Sequence, residues 1–223
     1  MTISRRARHV VIGVVAALML ALAPSGAAIA ADDDYSFSDV PETHSFYEHI
    51  SWMAYFGYIK GYADGTFRPS QPITRGQLAV IMYKYNGADE YFEPPATSPF
   101  KDVPTTHTFY KHIAWMADQG LVKGFSDGTF RPSAELTRGQ AAVVLFKDYW
   151  GPEGEYYEAP SKATFTDVPT THSFYRHISW LVEEDIAKGF ADKTFRPSVS
   201  VTRGQTAVFL YNYDDLYWSE IQR

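Results

Sequence analysis

Hydrophobic residues recur at helical spacing between residues 44 and 56. Four of them fall at positions i, i+4, i+7 and i+8, which is one face of a helix: Phe46, Ile50, Met53 and Ala54. Gly57 follows directly, and glycine is the usual residue just past a helix end. The pattern predicts a short amphipathic helix over residues 44–56, and the equivalent segment before Gly120 predicts another.

A further helix is predicted to start at Thr74. Threonine is a favoured N-cap, and Gln77 stands three residues later, which completes a capping box. An apolar stripe at i, i+3, i+4 and i+7 follows: Leu78, Ile81, Met82 and Tyr85. The stripe returns twice along the chain, as Ala141, Val144 and Leu145 and as Thr206, Phe209, Leu210 and Tyr213.

The chain carries this pair of helices three times. The copies begin at Phe37, Phe100 and Phe165, and each contains the motifs Phe-x-Asp-Val-Pro, Thr-His-x-Phe-Tyr-x-His-Ile-x-Trp and Thr-Arg-Gly-Gln. One helix pair cannot bury its own stripe, whereas three copies can point their stripes at one another. We therefore expect one pseudo-threefold, mostly helical domain with a shared core.

The residues outside the repeats predict a leader and two linkers. Three arginines precede an uncharged apolar run over residues 10–23, and Ala28 and Ala30 suit cleavage, so residues 1–30 resemble a secretory signal peptide. Residues 86–99 and 150–163 are rich in Pro, Gly, Glu and Tyr and are interpreted as linkers. The predicted units are 31–99, 100–164 and 165–223, acting as one domain, and the third ends in a short tail.

Composition excludes several classes of function. The 223 residues include no cysteine, which excludes disulfide scaffolds, zinc fingers, iron–sulfur proteins and thiol enzymes. A formal net charge of −6 argues against broad nucleic-acid binding, which needs a basic face. The repeated histidines lack a repeated third ligand, and no nucleophile motif or phosphate loop is present. We predict no enzyme activity, no metal, no cofactor and no membrane span after removal of the leader.

Arginine is repeated at the first helical position after each threonine cap, as Arg75, Arg138 and Arg203. The N–H groups at a helix start lack helical partners and attract anions, and a guanidinium adds a fork for a carboxylate or phosphate. A glycine follows each arginine, which costs helix stability but lets a ligand approach the backbone closely: Gly76, Gly139 and Gly204. These positions predict three equivalent anion sites.

Other charged positions also recur unchanged. They are Lys60, Lys123 and Lys188, Asp39, Asp102 and Asp167, Asp64, Asp127 and Asp192, and Arg68, Arg131 and Arg196. The lysines and the first group of aspartates are candidate ligand-binding residues. For Arg68 and its copies, the alternative is Asp–Arg pairing that fixes the turn.

Repeated aromatic residues are candidate platforms for a sugar ring. They are Trp52, Trp115 and Trp180 in the first helices, with Tyr62, Phe125 and Phe190 in the turns. Flat apolar faces beside polar groups suit a carbohydrate, although ordinary core packing is the alternative for each of them.

The order Phe-x-Asp-Val, helix, Gly-[Tyr/Phe]-x-Asp-Gly-x-Phe-x-Pro and [Ile/Leu/Val]-Thr-Arg resembles the S-layer homology (SLH) domain, from Phe37 to Tyr213. The resemblance implies a three-pronged spindle of helices that anchors an exported protein in the bacterial cell wall or S-layer. It also implies a secondary cell-wall polysaccharide as ligand, often pyruvylated, held in grooves between repeats. The arginines match the family's Thr-Arg-Ala-Glu signature, whereas Gly-Gln replaces Ala-Glu here.

Two hypotheses follow for the function. The first is a non-catalytic wall anchor that binds an anionic polysaccharide. The second is a structural surface-layer protein that acts by self-assembly or by recruiting a protein partner. The third copy departs from the others, because Asp185 and Lys193 replace Gly57 and Gly65. If the turn requires a positive φ, Lys193 is strained there, and its groove is expected to be the least faithful.

Overall fold

Six α-helices occur among the residues that the computed structural model describes, which are 35–154 and 156–221. The predicted signal peptide lies outside these residues. The first helices of the three repeats are α1 (Tyr47–Tyr55), α3 (Tyr110–Asp118) and α5 (Tyr175–Glu183). The second helices are α2 (Arg75–Tyr85), α4 (Arg138–Trp150) and α6 (Arg203–Ile221), and Ala88–Glu90 is a short 3-10 helix. The described residues form no strand beyond isolated bridges, so the all-α prediction is confirmed.

The predicted capping boxes are present in all three repeats. Thr74 accepts a hydrogen bond from the Gln77 N–H, and the Gln77 side chain accepts one from the Thr74 N–H. The same exchange joins Thr137 to Gln140 and Thr202 to Gln205. Each second helix therefore begins at its arginine, as the sequence predicts.

The first helices begin three residues later than predicted. The segment before α1 forms a turn, because the N–H of Phe46 donates to His44 Nδ1 and the N–H of Tyr47 donates to the His44 carbonyl. His107 and His172 do the same in their repeats. These histidines are structural, as the sequence favoured.

Left-handed backbone positions end the first helices and shape the turns. Gly57 and Gly120 have φ values of 70° and 69°, and Asp185 takes the equivalent place at 53°. In the turn, Lys193 has a φ of 60° where the other copies have Gly65 and Gly128. The prediction of a strained lysine is confirmed, since a side chain disfavours this region.

The main helix pairings among the described residues join different repeats. Helix α2 packs against α3, α4 packs against α5, and α6 packs against α1. The second helices also meet in one core, where Leu78, Leu145 and Leu210 come together from the three repeats. The shared core is thus confirmed, and the three pairings close a ring of repeats. The spindle outline stays a prediction.

Short bridges join the repeats beside this core. Thr74 pairs with Glu135, Thr137 with Ser200, and Pro72 with Thr202. Each bridge lies just before a second helix, so it fixes the start of that helix against the neighbouring repeat. In the described part of the chain, no helix combines the length and hydropathy needed to cross a membrane.

Candidate functional site

The three repeated arginines reach from one repeat into the next. Arg75 Nε donates to the Phe130 carbonyl at 2.8 Å, Arg138 Nε to the Phe195 carbonyl at 2.8 Å, and Arg203 Nε to the Phe67 carbonyl at 2.7 Å. The first repeat thus contacts the second, the second the third, and the third the first. These three hydrogen bonds join the repeats into a closed ring.

Two of the arginines donate a second hydrogen bond across the same junction. Arg138 and Arg203 also donate from Nη2 to the carbonyls of Lys188 and Lys60, both at 2.9 Å, and their exposed fractions are 3% and 4%. Burial lowers the pKa of Arg138 to about 10, so it stays charged at neutral pH. That these two arginines face a ligand stays a prediction, and in this structure their guanidinium groups are enclosed between repeats.

Arg75 differs from its copies. Within residues 35–154 and 156–221 its side chain makes one hydrogen bond, through Nε, and it is half-buried. Burial lowers its pKa, with Arg131 adding to the effect. Arg75 therefore keeps donors available on a partly open side.

The backbone at the helix starts is already occupied. The N–H groups of Arg75 and Gly76 donate to the carbonyls of Ala134 and Pro132, both at 2.9 Å, and the other two repeats show the same contacts. A Cβ on Gly76 would lie 2.5 Å from a Phe109 ring carbon. Gly139 and Gly204 face Phe174 and Phe46 in the same way. The approach of a ligand to these glycines stays a prediction, and in this structure the neighbouring repeat fills the space beside them.

The repeated aspartates hold the turns. Asp39 accepts hydrogen bonds from the N–H groups of Phe67 and Arg68, both at 2.7 Å. Asp102 and Asp167 make the equivalent pairs of bonds. A ligand role for these aspartates stays a prediction, and in this structure both carboxylate oxygens of each accept from backbone N–H groups.

Asp–Arg pairing fixes the turns themselves. Asp64 contacts Arg68 at 2.7 Å, and its bonds to Thr66 and Arg68 lower its pKa to about 2. The pairs Asp127–Arg131 and Asp192–Arg196 repeat the arrangement. The structural alternative for these arginines is confirmed.

Most of the aromatic candidates are also engaged. Trp115 and Trp180 are 2% and 0% exposed, which favours the core-packing alternative for them, whereas Trp52 is only half-buried. A role as sugar platforms stays a prediction. The turn rings of Tyr62, Phe125 and Phe190 each lie under two guanidinium groups, at 3.8–3.9 Å from their own repeat and 4.9–5.1 Å from another. The turn rings therefore serve to bind arginine.

A cavity of about 210 Å³ opens beside Arg75. Lys123 and Lys147 join Arg75 in its lining, together with Gln140, and no carboxylate is among the described residues that line it. Apolar groups form the rest of the wall, including Leu121, Phe130 and Phe174. Three cations above an apolar floor, with no carboxylate in the described lining, suit an anionic ligand with a hydrophobic face.

Lys147 is the residue of this cavity that sequence reasoning missed. Its Nζ donates to the Gly120 carbonyl at 3.3 Å, and burial lowers its pKa, helped by the nearby charge of Lys123. The signal was present, because Lys84 occupies the equivalent place in the first repeat and donates to the Gly57 carbonyl. The third repeat has Asn212 there. Lys60 and Lys188 are exposed and contribute their carbonyls.

Comparison with known proteins identifies the family. A sequence model of the S-layer homology domain matches residues 36–79, 99–142 and 164–207. The chain belongs to the S-layer homology domain family. These three matches confirm the tandem S-layer homology repeats expected from the sequence. Among the described residues, no group of histidine and acidic side chains is placed to hold a metal.

Several curated relatives of this S-layer homology chain are named as surface, anchoring or S-layer proteins. It is 33% identical over 160 residues to cell surface glycoprotein 1 and 32% identical over 173 residues to a cellulosome-anchoring protein, both of Acetivibrio thermocellus. It is 30% identical over 212 residues to S-layer protein EA1 of Bacillus anthracis. The matches cover 69%, 77% and 94% of this chain but only 7%, 37% and 23% of those proteins. These similarities support a location in the cell wall or S-layer. They also support a role in surface anchoring or as a part of the S-layer.

Proposed function

We propose that this chain is a non-catalytic anchor and that the cavity beside Arg75 binds an acidic group of a secondary cell-wall polysaccharide. The observation that carries the proposal is the trio of Arg75, Lys123 and Lys147 without a carboxylate in the cavity lining. A carboxylate such as that of a pyruvate ketal accepts charge-assisted hydrogen bonds from these groups. The apolar wall suits the hydrophobic face of a sugar or the ketal methyl group.

One groove, not three, carries the proposal. The arginines of the other two grooves donate twice to backbone carbonyls and are enclosed. The groove of Arg138 also has Asn212 in the place of a lysine. Binding of one acidic group per chain is therefore expected.

The test compares two equivalent lysines. Lys147→Gln and Arg75→Gln should each weaken binding of the secreted chain to purified cell walls by roughly tenfold or more, because each removes a charge-assisted bond to the anion. Lys84→Gln is the matched control, since Lys84 makes the same helix-end hydrogen bond but lies outside the cavity. Co-sedimentation with walls measures binding, and thermal unfolding checks the fold.

Walls stripped of the polysaccharide provide the second arm of the test. Retention on them equal to that on intact walls would contradict the proposal. Equal weakening by Lys84→Gln and Lys147→Gln would mean that the cavity is not the site. Polysaccharide with and without its pyruvate groups then tests the chemistry of the anion.

A further inference from the structure

Two of the three helix pairs are covered by a linker. On the α2/α3 pair, the hydroxyl of Tyr110 donates to the Pro95 carbonyl, and Phe92 packs edge-on against Tyr83. On the α4/α5 pair, the hydroxyl of Tyr175 donates to the Pro160 carbonyl at 2.7 Å. There, Tyr157 packs against Phe146 with ring centroids 5.5 Å apart. The two linkers thus dock by the same contacts.

Both linkers bury the aromatic residues beneath them. Tyr110 and Tyr175 are 6% and 7% exposed, and the two tryptophans of the same helices are buried. The linkers also share a sequence pattern, Glu-Tyr-aromatic-Glu-x-Pro, over residues 90–95 and 155–160. The first helix of a repeat therefore presents a surface that an extended proline-containing segment fits.

The α6/α1 pair presents the same surface without such a cover among the described residues. Its equivalents of the buried rings, Tyr47, Trp52 and Tyr211, are only half-buried. Next to them, Tyr35, Tyr55 and Phe56 are 40%, 53% and 39% exposed. A cavity of about 320 Å³ lies here, lined by Tyr35, Ser36, Tyr47, Ser51, Trp52 and Tyr55. We call this surface the open face.

Charge differs between the open face and the covered ones. Lys111 contacts Asp89 of its linker at 3.2 Å, and Arg176 donates to linker carbonyls, including that of Tyr157. The equivalent residue on the open face is Glu48, which accepts a hydrogen bond from Tyr211 at 3.1 Å. A segment bound here meets an acidic group where the linkers meet a basic one.

We propose that the open face binds an extended, proline-containing peptide segment of a partner protein, with a basic side chain beside Glu48. The segment takes the place that the linkers take on the other two pairs, and its backbone carbonyl accepts from the Tyr47 hydroxyl. In the register of the linkers, Gly26 of this chain stands where Asp89 contacts Lys111. Glycine offers no basic side chain to Glu48, so the segment proposed here comes from a partner.

The linker itself supplies the probe. A synthetic peptide of residues 86–99 is compared with the same peptide carrying Asp89→Lys, each titrated into the secreted chain by calorimetry. The Asp89→Lys peptide should bind several-fold more tightly than the unchanged one, because it replaces a like-charge contact with Glu48 by an attractive one. Glu48→Lys in the protein should reverse the order of the two affinities.

Two further measurements keep the proposal open to contradiction. Tyr47→Phe should weaken binding of the peptide. Glu48→Lys should leave retention on cell walls unchanged, and this result would separate the open face from the cavity beside Arg75. Absence of binding by both peptides at millimolar concentration would overturn the proposal. So would an unchanged order of affinities in Glu48→Lys. Concentration-dependent dimerisation abolished by Tyr55→Ser would instead assign the face to a second copy of the chain.

Discussion

Arg138 and Arg203 carry buried charges and Arg75 a half-buried one, and among the described residues none of the three forms an ion pair with a carboxylate. The guanidinium carbons of Arg75, Arg138 and Arg203 lie 4.5, 4.3 and 4.4 Å from the ring centroids of phenylalanines in the next repeat. Backbone carbonyls accept their Nε–H groups. Carbonyl dipoles and ring faces offset part of the cost of removing these guanidinium groups from water. The arginine side chains therefore stay charged at neutral pH. The spacing of Thr-Arg-Gly predicts the location of these arginines but not their partners, which are far away in sequence.

Substitution of Gly139 by alanine tests the close approach of two repeats, because it adds one methyl group at their contact. Gly139→Ala should destabilise the fold by about 1–2 kcal/mol, although alanine is the better helix former, because the Cβ would lie closer than 3.0 Å to Phe174. Thermal unfolding should show a lower Tm. In a Phe174→Leu background the same substitution should cost less, since the clashing ring is gone. An equal loss in both backgrounds would contradict a role for this contact.

At the scale of the secondary-structure element, the sequence predicts local features such as helix caps better than it predicts which elements pack together. Capping boxes, the glycines after α1 and α3 and the second-helix stripes were all predicted, because each depends on residues within one turn of one another. The cavity beside Arg75 was not, because Lys147 and Phe174 join it from two other segments. The start of α1 was also missed, since the His44 side chain forms a turn that competes with the helix.

The first helices carry half-buried histidines that make stability depend on pH. His49, His112 and His177 each pack edge-on against a ring of the paired helix at 4.9 Å. Burial lowers the pKa of all three, to about 4 for His177, where Lys147 and Arg176 add to the effect. In the unfolded chain a histidine pKa is about 6.5, so unfolding takes up protons between the two values.

We therefore expect the free energy of unfolding to fall as the pH decreases from about 6.5 to 4. Asp64 and Asp127 stay charged over this range, because their pKa values are about 2. His177→Phe keeps a ring against Phe146 and should flatten the dependence by about 2 kcal/mol. Thermal unfolding at several pH values measures the slope. A slope unchanged by His177→Phe would assign the acid sensitivity to other groups.

At the scale of the whole molecule, the three junctions between repeats share one set of core contacts. The α6/α1 junction joins the last repeat to the first through Arg203, whose Nε donates to a backbone carbonyl as in the two junctions between consecutive repeats. The repeats in the sequence predicted a shared core, and this core is present. The sequence could not show which helices pair, since pairing within a repeat satisfies the same apolar stripes. Only the contacts of the folded chain distinguish the two arrangements.

Because the junctions share the same core contacts, the ring should form wherever the chain begins and ends. It should not form when a repeat is missing. A circular permutant that begins at residue 100 and joins residue 221 to residue 35 through a flexible linker of about 15 residues keeps all three junctions. It should unfold in a single cooperative transition, which we also expect of the parent chain. A chain that ends at residue 164 removes the Phe195 and Lys188 carbonyls that accept from Arg138, and it also removes α6 from α1. An exposed core and an unpaired guanidinium should then abolish cooperative unfolding, as measured by calorimetry, because no junction of the remaining two repeats replaces those contacts. A cooperative transition in the truncated chain would show that the repeats fold as independent units and that ring closure contributes little to stability.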